Sequence, residues 1–329
     1  VTTLFKENLK VLLHGVTGSG KTEIYIHLIK HQLKNKKKVL YLLPEIAITT
    51  QIIQRLQSYF GNRVAIYHSR FSMAERTELW YDLLEEKFKE YDVILGARSA
   101  VFLPLKNLGL VIVDEEHEQS YKQFDPSPRY HAREVASKLA DIHNAQLLLG
   151  SATPSIEMMQ LVNEKKIGYV TLKKRFHQVP MPEIQFADLK RAHQKKEMKG
   201  AFSSFLLEQV EETLKANKQV ILFQNRRGYA PRQLCTTCGW IPMCKKCDVS
   251  MTLHKYQPIM KCHYCGYTTK KVEKCGACGS HDIKQMGLGT QKIEEEITNH
   301  FGDQYSVKRM DWDTTRKKSS FQLIIDQFE

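Results

Sequence analysis

At 329 residues the chain is too long for a single typical core, and about two domains are expected. With 42% hydrophobic and 26% charged residues it has the composition of a globular protein; no run of about 18 apolar residues offers a membrane helix, and Val1–Lys6 has no secretory h-region or cleavage site. A formal charge of +13 makes a polyanion, nucleic acid first, the partner to test.

In the first half, apolar runs at Lys10–His14, Val39–Leu43, Val64–Tyr67, Asp92–Leu95, Leu110–Val113 and Leu147–Gly150 read as strands. Between them Thr22–Leu33, Ile46–Phe60, Ser72–Phe88, His131–Ile142 and Ser155–Asn163 carry helical spacing. Strands apolar on both faces, alternating with helices, predict a doubly wound α/β domain on a parallel sheet.

The first strand runs into Gly15-Val16-Thr17-Gly18-Ser19-Gly20-Lys21-Thr22. This is the G-x-x-x-x-G-K-[ST] phosphate loop in its strand-to-helix context. Gly15, Thr17, Gly18, Ser19 and Gly20 are expected to wrap ATP phosphates with backbone N–H groups, Lys21 to reach the β/γ-phosphates, and Thr22 to ligate Mg²⁺. The fifth strand ends in Asp114-Glu115-Glu116-His117. Asp114 is expected to hold the Mg²⁺ and Glu115 to polarise the attacking water. His117 reads equally as a relay of nucleotide state and as a structural histidine. The sixth strand ends in Gly150-Ser151-Ala152-Thr153-Pro154, small and hydroxyl residues that allow close backbone approach.

After the acidic pair, Ser120–Arg133 interleaves aromatics and cations on a proline-rich loop. Tyr121, Phe124 and Tyr130 are candidates to stack bases, and Lys122 and Arg129 to take phosphates. The alternative, aromatics packed beneath a loop, stays open. Arg98, with Ser99, Thr49 and Thr50, is a further candidate for DNA-backbone contact. The Lys36–Lys38 run reads first as a solvated turn.

His177–Pro182 reads as an extended linker. A second α/β pattern begins with helix Ala201–Lys215 and strand Gln219–Phe223, breaks at a cysteine block, and resumes with a helix near Lys292–His300, a strand near Tyr305–Met310 and a helix starting near Lys317. The expected domains are a lobe at 1–175, a linker and second-lobe start at 176–234, a cysteine module at 235–285, and a second-lobe continuation at 286–329. A doubly wound domain with so few strands is incomplete, so a core fragment is expected.

All eight cysteines fall in four C-x-x-C pairs: Cys235/Cys238, Cys244/Cys247, Cys262/Cys265 and Cys275/Cys278. Clustering of this kind marks a cytosolic metal protein rather than a disulfide framework. Two Cys₄ tetrahedra suit two Zn²⁺ in a structural role. The Cys244/Cys247 and Cys262/Cys265 spacing is that of a zinc ribbon, which leaves Cys235/Cys238 and Cys275/Cys278 as an outer site; sequential pairing remains open. Eight thiolates on two Zn²⁺ would still leave a charge of about +9. Lys245, Lys246, Lys255, Lys261, Lys270, Lys271 and Trp240 suggest a surface for DNA or protein partners.

The three nucleotide motifs together resemble the superfamily 2 helicases, which hold ATP between two RecA-like lobes. Leu43–Ala47, His68-Ser69 with Glu75-Arg76, Gly96–Ala100, Val113–His117 with Ser120–Gln123, Gln224–Pro231, Gly287-x-Gly289-Thr290 and Asp311-x-Asp313-Thr314 look like the PriA (primosomal protein N′) family. The resemblance covers nearly the whole chain. It implies a RecA-like ATP-binding lobe plus a partial second lobe carrying an inserted zinc module. It also implies ATP-driven 3′–5′ DNA unwinding in the restart of stalled replication forks. The implied partners are single-stranded and forked DNA, primosome proteins and single-stranded-DNA-binding protein, in the bacterial cytoplasm near the nucleoid. It favours the nested cysteine pairing and an aromatic loop that reports DNA to the hydrolysis site. Three departures stand out: Gln291 where such proteins usually carry glutamate, no fork-binding N-terminal region, and no last motifs, whose arginine completing the ATP site would lie beyond Glu329. The chain alone is thus expected to bind ATP and hydrolyse it poorly. The competing expectation is a non-hydrolysing zinc module that binds DNA or primosome partners; an RNA helicase is disfavoured by the zinc block and Asn225–Tyr229.

Overall fold

The computed structural model describes residues 1–44, 50–68, 71–85, 91–224, 232–254, 259–262, 264–286, 289–311, 314–315 and 320–328. The chain divides into two compact units, Val1–Pro182 and Glu183–Glu329. Expectations at 45–49, 69, 225–231, 255, 287 and 313 lie outside the described residues.

In the first unit seven strands form one sheet: β1 Lys10–Gly15, β2 Lys38–Leu42, β3 Val64–Tyr67, β4 Val93–Gly96, β5 Leu108–Asp114, β6 Gln146–Ser151 and β7 Gly168–Leu172. Their spatial order is β3-β4-β2-β5-β6-β1-β7, and every pairing is parallel. Among the described residues five α-helices accompany them: α1 Lys21–Lys34, α2 Thr50–Phe60, α3 Met73–Glu85, α4 Ala132–His143 and α5 Ile156–Asn163.

The period-two alternation of a strand divides the core into two layers. Val11, Leu13, Val39, Tyr41, Leu110 and Ile112 pack with Ile26 and Ile29 of α1 and with Leu56 and Phe60 of α2. Leu12, Leu40, Leu42, Val111 and Val113 pack with Leu79 and Leu83 of α3, with Ala132, Ala136 and Ala140 of α4, and with Met158 of α5. Both faces are covered, which is why these strands read as unbroken apolar runs. The six expected strands are all present; β7 adds an edge strand beside β1 that the apolar runs did not announce.

Because the strands are parallel, their carboxyl ends share one edge, where open α/β sheets bind ligands. His14 pairs with Ser151, and Asp114 with Gly150. The turns that leave β1, β5 and β6 are therefore neighbours.

The second unit holds α6 Leu189–Gln194, a short hairpin of β8 Met198–Lys199 and β9 Phe202–Ser203, and α7 Ser204–Lys215. The cysteine module follows. β10 Arg232–Cys235 pairs antiparallel with β14 Ile283–Met286, and between them lies a three-stranded antiparallel sheet of β11 Thr252–His254, β12 Ile259–Lys261 and β13 Thr268–Lys270. Helices α8 Thr290–Phe301 and α9 Ser320–Phe328 come last. The strands expected at 219–223 and 305–310 are not formed as ladders among the described residues. Leu222 and Val307 pack against Phe202, Leu207 and Ile297, but Ile221 and Phe223 stay exposed. A strand is made by a backbone partner, and neither segment has a ladder partner among the described residues. Among the described residues no helix is long and apolar enough to cross a membrane.

Candidate functional site

Gly15 ends β1 and Gly20 caps α1, so residues 16–19 form the turn from strand to helix. Lys21 opens the helix, with Thr22 next to it in the first turn. The Lys21 ammonium lies 2.9 Å from the Gly15 carbonyl oxygen and 4.0 Å from Glu115 Oε1. Ser19 Oγ is buried with no hydrogen-bond partner among the described residues. The Thr17 and Gly18 carbonyls accept from Arg175 Nε at 3.1 Å and from the Phe176 N–H at 2.8 Å. A helix N-terminus, a lysine and an unpartnered buried hydroxyl together make a donor set for phosphate oxygens.

Asp114 ends β5 and is buried. Tyr25, one helical turn after Lys21 on α1, donates to Asp114 Oδ1 at 2.8 Å, and Tyr41 of β2 donates to Oδ2 at 3.2 Å. Burial pushes the Asp114 carboxyl up; the Tyr25 hydrogen bond and the Lys21 charge oppose that shift. Glu115 is also raised, by burial and then by the Asp114 charge, against the pull of Lys21 and His117. Its backbone has φ +49°, a left-handed conformation uncommon for a non-glycine residue. His117 Nδ1 lies 2.8 Å from Ser151 Oγ and 3.7 Å from Glu115 Oε2, and its Nε2 lies 3.4 Å from Thr153 Oγ1. At Gly150 an added Cβ would fall 1.8 Å from Tyr25 Oη and 3.2 Å from Asp114 Oδ1. Gly150, one residue before the end of β6, therefore makes room for the tyrosine that holds the aspartate.

The turn of β1, the acidic turn of β5 and the Ser151–Thr153 turn of β6 thus share one locus. The sequence did not single out Tyr25, Tyr41 or Arg175. Tyr25 had a signal, since its i+4 spacing from Lys21 places both on one helix face; Tyr41 read simply as core.

The loop after the acidic turn is only partly as expected. Tyr121 is 0% exposed, and its hydroxyl donates to the Asp114 carbonyl at 2.6 Å and the Leu42 carbonyl at 3.1 Å. This corrects its assignment as a base-stacking residue: the ring is core, and the hydroxyl satisfies carbonyls at the ends of β5 and β2. Arg98 donates from NH1 to the carbonyls of Ser120 and Lys122, at 3.3 and 2.8 Å, so its guanidinium fastens this loop. Tyr130 is half-buried and meets Phe102 edge-on, with centroids 4.8 Å apart. Lys122 reaches the Arg129 carbonyl at 3.4 Å. Phe124, 65% exposed, and Arg129 face solvent.

In the second unit the sulfurs gather into two groups, Cys235/Cys238/Cys275/Cys278 and Cys244/Cys247/Cys262/Cys265, with the Sγ atoms of each group within 4.8 Å of one another. The pairing is nested. The four C-x-x-C turns repeat one backbone design. The N–H of Gly239, Asp248, Gly266 and Gly279 donates to the carbonyl of Cys235, Cys244, Cys262 and Cys275, at 2.8, 3.3, 3.0 and 3.1 Å. Each of those four residues has positive φ, +77° at Gly239, +50° at Asp248, +75° at Gly266 and +75° at Gly279, a conformation that favours glycine. A glycine directly after C-x-x-C was a legible signal that the cysteine spacing alone did not use. Backbone N–H groups also point at sulfur: Lys246 N lies 3.4 Å from Cys244 Sγ, and Ala277 N and Cys278 N each lie 3.4 Å from Cys275 Sγ. The backbone N–H of Cys265 heads the groups that draw the Cys262 thiol down to about 7. Four sulfurs at that separation, steadied by N–H donors, are what a tetrahedral thiolate-bound ion requires.

Comparison with known proteins agrees with both halves. Residues 1–161 match the DEAD/DEAH box helicase model, and residues 244–270 match the PriA DNA helicase Cys-rich region (CRR) domain. Replication restart protein PriA of Bacillus subtilis (strain 168) is 42% identical over 327 residues, covering 99% of this chain and 40% of that protein. Its counterpart in Synechocystis sp. is 41% identical over 328 residues, covering 97% of this chain and 39% of that protein. The chain belongs to the PriA family. Like those alignments, it spans about 40% of a PriA protein's length. The PriA Cys-rich match encloses the inner sulfur group, Cys244 to Cys265. Among solved structures, the Pyrococcus furiosus Hef helicase domain aligns with 50% of this chain and 35% of its own at 21% identity, with a TM-score of 0.35.

Proposed function

We propose that this chain is the ATP-consuming core of a 3′–5′ DNA helicase that acts in restart of stalled replication forks. One observation carries the reading: Lys21, Asp114 and Glu115 meet at the carboxyl edge of the sheet, with Lys21 Nζ 4.0 Å from the Glu115 carboxylate and Tyr25 of the same helix bonded to Asp114.

The donor set fits a magnesium–nucleoside triphosphate. Gly15, Thr17, Gly18, Ser19 and Gly20 supply the turn that would cradle phosphates, with the free Ser19 hydroxyl and the Lys21 ammonium facing the negative charge. Thr22 and Asp114 would hold Mg²⁺, which supplies charge neutralisation at the transferring phosphoryl group. Tyr25 and Tyr41 fix the Asp114 carboxylate. Glu115, raised by burial, is placed to orient a water and take its proton. Ser151 and Thr153 hold His117 beside Glu115. Phe124 and Arg129 offer a ring face and a cation to a nucleic-acid strand, with Lys122, Arg98 and Tyr130 shaping the loop that presents them.

The two sulfur groups would hold Zn²⁺ as closed structural sites. The domain scheme that goes with this reading is a lobe to residue 175, a second-lobe start at 176–234, a zinc module at 235–285, and a second-lobe continuation from 286. Primosome proteins and single-stranded-DNA-binding protein are the partners it implies.

The test is ATP hydrolysis by the full-length protein with single-stranded DNA, forked DNA and RNA. Lys21→Ala should abolish nucleotide binding. Glu115→Gln should keep binding and lose at least about a hundredfold in DNA-stimulated turnover. Wild-type turnover in both variants would sink the proposal, and stimulation by RNA alone would redirect it.

A further inference from the structure

The segment that leaves β7 runs alongside the phosphate loop and holds it at three successive residues. The Val16 N–H donates to the Leu172 carbonyl at 3.1 Å, the Thr17 carbonyl accepts from Arg175 Nε at 3.1 Å, and the Gly18 carbonyl accepts from the Phe176 N–H at 2.8 Å. The first and third of these bonds run from backbone to backbone; the second depends on a side chain. Nη1 of the same guanidinium donates to the Pro180 carbonyl at 3.3 Å, which steadies the arginine. An added Cβ at Gly18 would fall 3.3 Å from Arg175 Nε, so the glycine lets the guanidinium lie against the turn.

The bond to Thr17 decides the direction of an N–H group. In a planar trans peptide the carbonyl and the next N–H point to opposite sides, so fastening the Thr17 carbonyl to Arg175 turns the Gly18 N–H away from it. Loops of this kind bind phosphate through N–H groups that converge. Gly18 has φ +75°, and a glycine changes its backbone angles at little cost. Released from Arg175, the 17–18 peptide is free to turn over and put a carbonyl where a donor is needed. The 18–19 peptide is held at both ends, since its carbonyl accepts from Phe176 and the Ser19 N–H closes on the Val16 carbonyl at 3.0 Å. The orientation of the 17–18 peptide thus rests on a side chain, where that of the 18–19 peptide rests on backbone.

We infer that Arg175 is a positioning residue: acting through the Thr17 carbonyl, and not by touching the nucleotide, it presets the loop for the phosphates that ADP and ATP share. This rests on the nucleotide site proposed above. Two substitutions separate the hydrogen bond from the charge. The glutamine amide nitrogen is attached to Cδ, as the arginine Nε is, so Arg175→Gln keeps a donor at that place and removes the charge. In Arg175→Lys a carbon takes that place and the nitrogen lies one atom further out, so the charge stays and the donor moves. Arg175→Met keeps neither.

The experiment takes the full-length protein and these three variants. It reads the melting midpoint, the Kd for ADP and for a non-hydrolysable ATP analogue, and kcat and KM for ATP with saturating single-stranded DNA. Arg175→Lys and Arg175→Met should bind both nucleotides about tenfold more weakly or worse, the scale of one hydrogen bond to a charged group. KM should rise in step while kcat stays within about threefold of wild type, as when binding common to ground and transition states is lost. Arg175→Gln should stay within about threefold of wild type throughout. A lysine variant that binds as well as the glutamine variant, or better, would overturn the inference. So would a loss for the ATP analogue without one for ADP, which marks a direct contact with the γ-phosphate, or a fall in kcat or melting midpoint at unchanged Kd, which marks a catalytic or merely structural role. A wild type that binds neither nucleotide would overturn the proposed site, and this inference with it.

Discussion

In the parallel sheet, β5 buries all seven of its residues from Leu108 to Asp114, and two apolar layers close over it. In the cysteine module the buried cluster is Met251, Leu253 and Met260 with Cys244 and Cys262. Two of those five residues belong to the inner sulfur group. The first unit is held by apolar area, which needs no ligand. The cysteine module has few apolar side chains for its length of chain, and its fold is expected to depend on the ions that its cysteines would hold. On that reading chemistry and stability are separated along one sequence: the sheet would present a site it does not need for folding, and the module would need its site in order to fold.

The largest effect that bears on this contrast is metal removal. Cys262→Ser, or chelation, should unfold residues 244–270, because a structural zinc site of this kind contributes about 10–16 kcal/mol at neutral pH. Nucleotide binding at Lys21 should persist. Metal counting on Cys262→Ser should show one ion lost; loss of both would contradict two independent cages. Next in size is Gly150→Ala, which acts on the sheet unit alone. Its methyl would collide with the Tyr25 hydroxyl, and overpacking of this sort costs about 1–3 kcal/mol. A lower melting midpoint together with reduced ATP turnover and unchanged metal content is expected; an unaltered turnover would show that the Tyr25–Asp114 bond is dispensable.

The smallest effect is on pH. The proposed hydrolysis would need Asp114 and Glu115 ionised, and burial holds both above their ordinary values. On acidification, turnover should therefore begin to fall at a higher pH than unshifted carboxylates would allow. Stability should move the other way. A carboxyl raised in the folded state contributes stability that is present below its unfolded pKa and is lost as pH rises through the folded one. Asp114→Asn should accordingly raise the melting midpoint of ligand-free protein at neutral pH while eliminating hydrolysis. A lower midpoint would mean that the tyrosine bonds outweigh the cost of the buried charge.

What could be read beforehand followed the physics of each signal. Apolar runs announced six strands because both faces of a parallel strand are buried. β7 escaped because, as an edge strand, most of its residues are only partly covered. The cysteine spacing suggested a nested pairing and left a sequential one open, since spacing does not show which sulfurs converge. At Tyr121 the alternation of rings and cations suggested a stacking surface, but composition does not tell a ring that faces solvent from one whose hydroxyl reaches a buried carbonyl. Asp114-Glu115-Glu116 offered three carboxylates in a row; only the coordinates distinguish the one against tyrosines, the one beside lysine and the one turned inward onto Arg133. At 219–223 the pattern was apolar enough for a strand, but apolar pattern does not guarantee a hydrogen-bonding neighbour.

The β10–β14 ladder sets Arg232 opposite Met286, so the polypeptide leaves for the cysteine module and returns from it at adjacent points. To the rest of the second unit, everything between those two residues is equivalent to a hairpin turn. The module could lengthen, shrink or be exchanged for another knot of chain without lengthening the path that its host must follow, which makes it a cassette that selection, or a protein engineer, can edit apart from that host.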